Sequence, residues 1–237
     1  MGRFSHLDQI NEIKKNQTGT GLLIENEGHI ITSDDNIKQI KEDIAKEHKF
    51  VIPDDFIVSA VFQKFGIKNA NGRIYPEDIL KREVDRYITN CVKQNCAIGA
   101  LDHPIQSTLS GHDVAMRILN LEWQNRTLVG EMKLHLSEGF KRHGIVSTSG
   151  DKVAMMLLDD ILIGVSSRGI GSVKKIGDDL YVSDDFEIIC WDVVCTPSTP
   201  GALIKNNRTE LQQFIESEDK NGSSLNEKLD KLENLLF

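Results

Sequence analysis

The chain has 237 residues and a formal net charge of -8, enough for one domain of ordinary size and without the bulk positive charge of a nucleic-acid binder. Apolar residues make up 39% and charged residues 27%, which excludes wholesale disorder. No run approaches the roughly 20 apolar residues of a membrane span, and Met1 to Lys15 lacks the apolar stretch of a secretory signal, so the expectation is a soluble cytosolic protein that needs neither membrane nor nucleic acid.

Residues 1–50 are polar and turn-rich, with Gln17 to Gly21, Glu25 to Gly28 and Ser33 to Asn36 between short apolar pieces. They read as an arm or propeptide that packs against the domain or is removed from it. A domain over 51–205 follows, and it opens with a β-rich run from Phe56 to Phe65 that stops at Gly66. Pro76 suits a first helical position, Glu77 and Asp78 suit the positive helix end, and Ile79, Leu80, Val84, Tyr87, Ile88 and Val92 recur at three and four spacing. The pattern predicts a helix over 76–94. Short strands are then expected over Ala97 to Leu101, Asp113 to Leu121 and Thr127 to His135, the last with strict alternation. Val153, Met156 and Leu157 predict a short helix over 152–160, after which strands resume at Leu162 to Lys175, Leu180 to Val182 and Phe186 to Cys195. Residues 206–237 form a polar tail in which Leu225, Leu229, Leu232 and Leu236 fall at helical spacing.

Cys91, Cys96, Cys190 and Cys195 are too few for a disulfide scaffold and read as thiols. The two C-x4-C spacings invite zinc, but a separation of five in a strand points Cys190 and Cys195 to opposite faces. No metal or other cofactor is expected.

Three side chains could carry chemistry, with two backbone amides beside them. His103, in Leu101-Asp102-His103-Pro104, follows a strand and is held extended by Pro104, which suits a general base; a surface loop histidine is the plain alternative. In Gly164-Val165-Ser166-Ser167-Arg168-Gly169 an extended chain sends Ile163 and Val165 to the core together with Ser167, leaving Ser166 on the cleft side as nucleophile. An ordinary strand and turn is the competing reading. The amides of Arg168 and Gly169, just past the nucleophile, are expected as oxyanion donors, with the Arg168 guanidinium alternatively fixing that loop. Asp192 is an acid inside the apolar strand Ile188 to Val194 and must have a partner, either a histidine to orient or a structural Arg or Lys.

With these residues in place, the sequence resembles the prohead core proteases of tailed phages, serine proteases with the herpesvirus assemblin type of fold. Four blocks carry the resemblance over about residues 56–204: Asn69-Ala70-Asn71-Gly72-Arg73-Ile74-Tyr75-Pro76, Gly99-Ala100-Leu101-Asp102-His103-Pro104, Gly164 to Gly169, and Asp192 to Ala202. The resemblance implies His103 as base and Ser166 as nucleophile. Asp192 is the expected third member, with His112, His135 and His143 as substitutes, because the superfamily varies that role. Ala100 departs from relatives that carry a glutamate there. The resemblance further implies cleavage of scaffold and major capsid proteins during head maturation, inside the prohead in the host cytoplasm, by a chain expected to be a homo-oligomer and a zymogen. Related enzymes favour cleavage after a glutamate two residues beyond Leu or Ile. Such triplets stand at Ile10-Asn11-Glu12, Leu23-Ile24-Glu25 and Leu225-Asn226-Glu227, so the arms are expected to be trimmed by the enzyme itself. Lys141, Arg142 and Arg117 are expected sources of a basic subsite.

The expected fold is α+β, a mostly antiparallel β-barrel of assemblin type with flanking helices. A non-catalytic capsid-assembly or scaffold module on the same fold is the rival reading. An α/β-hydrolase esterase is disfavoured because Gly164 to Arg168 lacks the second glycine of G-x-S-x-G.

Overall fold

In the computed structural model the described residues are 12, 17–31, 34–47, 50–104 and 108–195. The polar tail over 206–237, the Thr196 to Ala202 end of the fourth block and the triplet at Leu225-Asn226-Glu227 lie outside them, as do Ile10 and Asn11.

Strands and helices follow one another as β1 (Gly19–Ile31), α1 (Asp34–Glu47), β2 (Ile57–Lys64), β3 (Arg73–Ile74), α2 (Glu77–Tyr87), β4 (Ile98–Ala100), β5 (Val114–Gln124), β6 (Thr127–Leu134), α3 (Glu138–His143), α4 (Ser149–Leu158), β7 (Gly164–Ile176), β8 (Asp179–Val182) and β9 (Glu187–Val194). The architecture is α+β. All nine strands join one sheet in the order β3-β8-β7-β1-β2-β6-β5-β4, with β9 paired to β7 off that path. Among the described residues, the short β3–β8 ladder alone is parallel. The sheet differs from the expected closed barrel at one seam: between the end of β4 and β9 a single parallel bridge, Leu101 to Val193, stands where a ladder would close the wall.

That seam has a physical cause. Ala100 N–H, which would otherwise seek a strand partner, donates to the Asp192 side chain at 2.9 Å. Gly99 lets the two backbones approach, since a Cβ there would lie 2.1 Å from Trp191 O and 2.5 Å from Met116 Cε. On the far side of β9, helix α2 covers the strand: Arg86 Nη2 donates to Ile188 O at 2.8 Å and Ile188 N–H donates to the buried Glu83 Oε2 at 3.2 Å. An edge satisfied by side chains is closed to further strand pairing.

Residues 19–31, expected within the polar arm, instead form β1, which lies between β2 and β7. Leu22 and Leu23 are buried there, and two short apolar pieces interrupted by polar residues hid a strand. Helix α1, also within the expected arm, seats Ile37 in the main core. Helix α2 begins after Pro76 and passes into a π-helical turn over Ile88–Val92, so together they occupy the range predicted for one helix. Helix α4 starts earlier than expected because Thr148 caps it, in a reciprocal box with Asp151. Trp191 anchors the core from β9, edge-on to Phe62 at 5.7 Å and to Tyr87 at 5.0 Å between ring centroids.

Candidate active site

Strands β7 and β9 are antiparallel neighbours whose register sets Ser166 opposite Asp192 and Arg168 opposite Cys190. Directly paired residues share a sheet face, and so do residues two apart along a strand. Ser166, Arg168, Cys190 and Asp192 therefore form one patch, and all four side chains are buried. Ser167 is buried as well, so the two serines differ in facing rather than in exposure.

The third element reaches the patch from β4. After the Leu101 bridge, Asp102 adopts a left-handed conformation with φ 61°, one that Asp tolerates better than most side chains. Its N–H donates to Val193 O at 2.7 Å. This kink delivers His103 onto the patch, with Nδ1 at 2.9 Å from Asp192 Oδ2 and Nε2 at 2.5 Å from Ser166 Oγ. An ionised carboxylate only accepts, so Nδ1 carries the proton and Nε2 is left to accept from the serine hydroxyl. The tautomer required of a general base is fixed by its neighbours.

Asp192 resolves the choice between a histidine and an arginine partner by having both. Arg168 Nε donates to Asp192 Oδ2 at 2.5 Å and Nη2 donates to Oδ1 at 3.1 Å, in a fork with neither group exposed. Cys190 Sγ donates to Oδ1 at 3.6 Å. Burial alone pushes the Asp192 carboxyl up, but the hydrogen bond from His103 and the Arg168 charge more than offset it and hold the group below its ordinary range. Burial also pushes the thiol of Cys190 far up, adding to the effect of the adjacent carboxylate, so this sulfur stays protonated and serves as a donor. His112, His135 and His143, the substitutes for the third role, are exposed, on the turn before β5, after β6 and at the end of α3.

Arg168 and Gly169, the expected oxyanion donors, are interior ladder positions. Ile24 and Leu23 of β1 flank them on one side, Cys190 and Ile188 on the other, with a β-bulge between the two on the β9 side. The Leu23-Ile24-Glu25 triplet is thus paired into the sheet beside the patch. Two of the expected basic-subsite residues are already engaged: Lys141 Nζ bonds Asp54 at 2.8 Å and also meets Glu138, and Arg142 Nε bonds Glu138 at 3.0 Å. Arg117 Nη1 donates to Asn95 Oδ1 at 3.4 Å.

Cys190 is buried within β9, whereas Cys195, just past the end of that strand, is exposed. Among the described residues no three His, Cys, Asp or Glu side chains gather into a metal-binding group, and no helix is long and apolar enough to cross a membrane. Sequence reasoning missed Ala100 as a contributor because the contact uses its amide, which any residue type supplies. It missed Gly99 because nothing local reveals which backbone will come close.

The chain has relatives. A family model described as prohead core protein serine protease matches residues 19–213, a span that begins with β1. The prohead core protein protease of Enterobacteria phage T4 is 28% identical over 163 residues, covering 68% of this chain and 73% of that protein. The structure of the bacteriophage T4 capsid assembly protease superposes with a TM-score of 0.59 at 23% identity, covering 75% of this chain and 99% of the other. With a family match over more than half of its length, this chain belongs to the prohead core protein serine proteases.

Proposed function

We propose that Ser166, His103 and Asp192 are the nucleophile, base and orienting acid of this serine protease, acting as an endopeptidase on scaffold and capsid proteins during phage head maturation. The observation that carries the reading is one imidazole hydrogen-bonded through Nε2 to Ser166 Oγ and through Nδ1 to Asp192. His103 Nε2 takes the Ser166 proton as Oγ attacks the scissile carbonyl, then returns it to the leaving amine, giving an acyl-enzyme that water resolves by the same route. Asp192 holds the imidazole in the competent tautomer and stabilises the imidazolium. The oxyanion needs hydrogen-bond donors; the amides of Arg168 and Gly169 are assigned to it, and because both residues are paired with β1 and β9 the ladder must open at the bulge between them for this to happen.

Self-trimming belongs to the same proposal but is restricted by the fold. Cleavage after Glu25 would require β1 to leave the sheet, with Leu23 drawn out of the core. Trimming is assigned to the triplets ending at Glu12 and Glu227, and aged active protein that retains both ends on sequencing would count against it. The work is placed inside the prohead, in a host cell, by an oligomer of this chain.

The decisive experiment incubates the full chain, beside Ser166→Ala, with its own head scaffold protein and reads fragments by intact mass. The parent should cleave and the variant should not. Scaffold bound but uncut by both would favour an assembly module instead.

A further inference from the structure

The Arg168 guanidinium is the least explained group in the site. A fully buried arginine is costly to desolvate, and neither attack on a carbonyl nor proton transfer by His103 calls for one at this position. Three contacts describe its work. Through Nε and Nη2 it grips both oxygens of Asp192, at 2.5 and 3.1 Å. Through Nη1 it donates to Pro104 O, the carbonyl immediately after His103, at 3.5 Å. Its own backbone lies two residues beyond Ser166 in β7. One rigid, planar group thus ties the nucleophile strand, the acid strand and the loop that carries the base.

We propose that Arg168 is a positioning residue of this active site, acting through its side chain on Asp192 and the His103 loop rather than on the substrate. The inference rests on the assignment of His103, Ser166 and Asp192 above. A forked guanidinium fixes the carboxylate plane, and the carboxylate plane fixes which oxygen meets Nδ1. The same cation offsets part of the carboxylate charge that the imidazolium would otherwise feel. Other titratable groups beside the carboxylate are Cys190 on β9 and Tyr87 on α2, both pushed up by burial and so neutral donors at working pH.

Arg168→Lys keeps the charge and removes the fork, so it separates positioning from bulk electrostatics. Scaffold cleavage by this variant should show kcat reduced tenfold or more with KM within about twofold of the parent, because an ammonium cannot hold both oxygens in one plane. The acid limb of kcat/KM should also move to higher pH: a less closely offset carboxylate stabilises the imidazolium, and the base is freed later. An unchanged kcat with an unmoved limb overturns the proposal, and so does a raised KM at constant kcat, which would put Arg168 on the substrate.

A second comparison covers a lysine variant that does not fold. Asp192→Asn and the double variant Asp192→Asn with Arg168→Met leave, respectively, one and no buried charge in the pair. With Asp192 gone, the one positioning contact left to Arg168 is its 3.5 Å bond to Pro104 O, so the double variant should cleave no more than about threefold slower than Asp192→Asn. A further tenfold loss in the double variant would mean that Arg168 touches the reacting atoms and would overturn the positioning role. Absence of cleavage by the parent itself defeats the protease assignment of these residues instead, before Arg168 is tested.

Discussion

Asp192 and Asp151 are both buried carboxylates, and both are held below the ordinary carboxylate range, yet they do different work. Asp151 sits at the start of α4 and collects neutral donors: the Ser137 amide at 2.8 Å, the Ser147 and Thr148 amides at 2.9 Å each, and the hydroxyls of Ser137 and Ser147. It staples the loop before α3 to the start of α4. Asp192 is surrounded by an arginine and an imidazole, so its charge is matched by one cation and offered to a group that gains and loses a proton. The lesson is that depth and a depressed pKa do not by themselves mark a candidate catalytic acid; what sets Asp192 apart is the titratable partner beside it.

The largest expected effect is on the Asp192 side. Asp192→Asn should lower kcat by about ten-thousand-fold, the scale seen when an orienting acid is neutralised and the histidine takes the wrong tautomer, with KM little changed. The measurement is cleavage of scaffold protein at a temperature where circular dichroism shows the variant folded. Retention of even a tenth of the activity would return Asp192 to a purely structural pairing with Arg168.

Much of this contrast was legible in the sequence for one residue and invisible for the other. Asp192 stood out because it interrupts Ile188 to Val194, where an acid must be partnered. Asp151 lies in the polar stretch Ser147 to Lys152 and looks like any surface acid; its burial follows from the packing of α3 and α4, which no local pattern encodes. The same holds for the strands. Alternation exposed β6, and a strong apolar run exposed β2, whereas β1 reads as polar turns because it alternates poorly and bulges between Glu25 and Gly28. Arg168 was noticed as a backbone donor, with its guanidinium as an alternative anchor of the loop, but not as the partner of Asp192. Its side-chain fork depends on the register of β7 and β9, which sets Arg168 diagonal to Asp192 and cannot be read from either strand alone.

Gly99 should give the next effect, and it falls between the two acids because it touches both stability and catalysis. Gly99→Ala places a methyl 2.1 Å from Trp191 O, so β4 must retreat from β9. Overpacking of this kind costs about 1–3 kcal/mol, and the retreat takes the Ala100 amide from Asp192 and shifts the loop that carries His103. Thermal unfolding should show the loss, and activity should fall further than stability predicts, measured well below the melting point. Full activity with unchanged melting would mean that the seam is slack.

Asp151→Asn should leave catalysis intact in folded protein and lower stability alone. Its carboxyl is held at about 2 against 3.8 for the free group. Burial opposes that shift, and the amides of Ser137, Ser147 and Thr148 more than reverse it. A difference of that size corresponds to about 2 kcal/mol of folding stability. Because the folded-state pKa is the lower one, this contribution is fully present above the unfolded value of 3.8 and is lost as pH falls through about 2. Urea unfolding should therefore show the parent losing stability more steeply than Asp151→Asn between pH 4 and pH 2, with the two curves separated by about 2 kcal/mol near neutrality and converging in acid. Parallel curves over that window would show that the Asp151 charge contributes nothing, and a constant gap between them would then be the cost of turning the asparagine NH2 onto a backbone N–H where the carboxylate offers an acceptor.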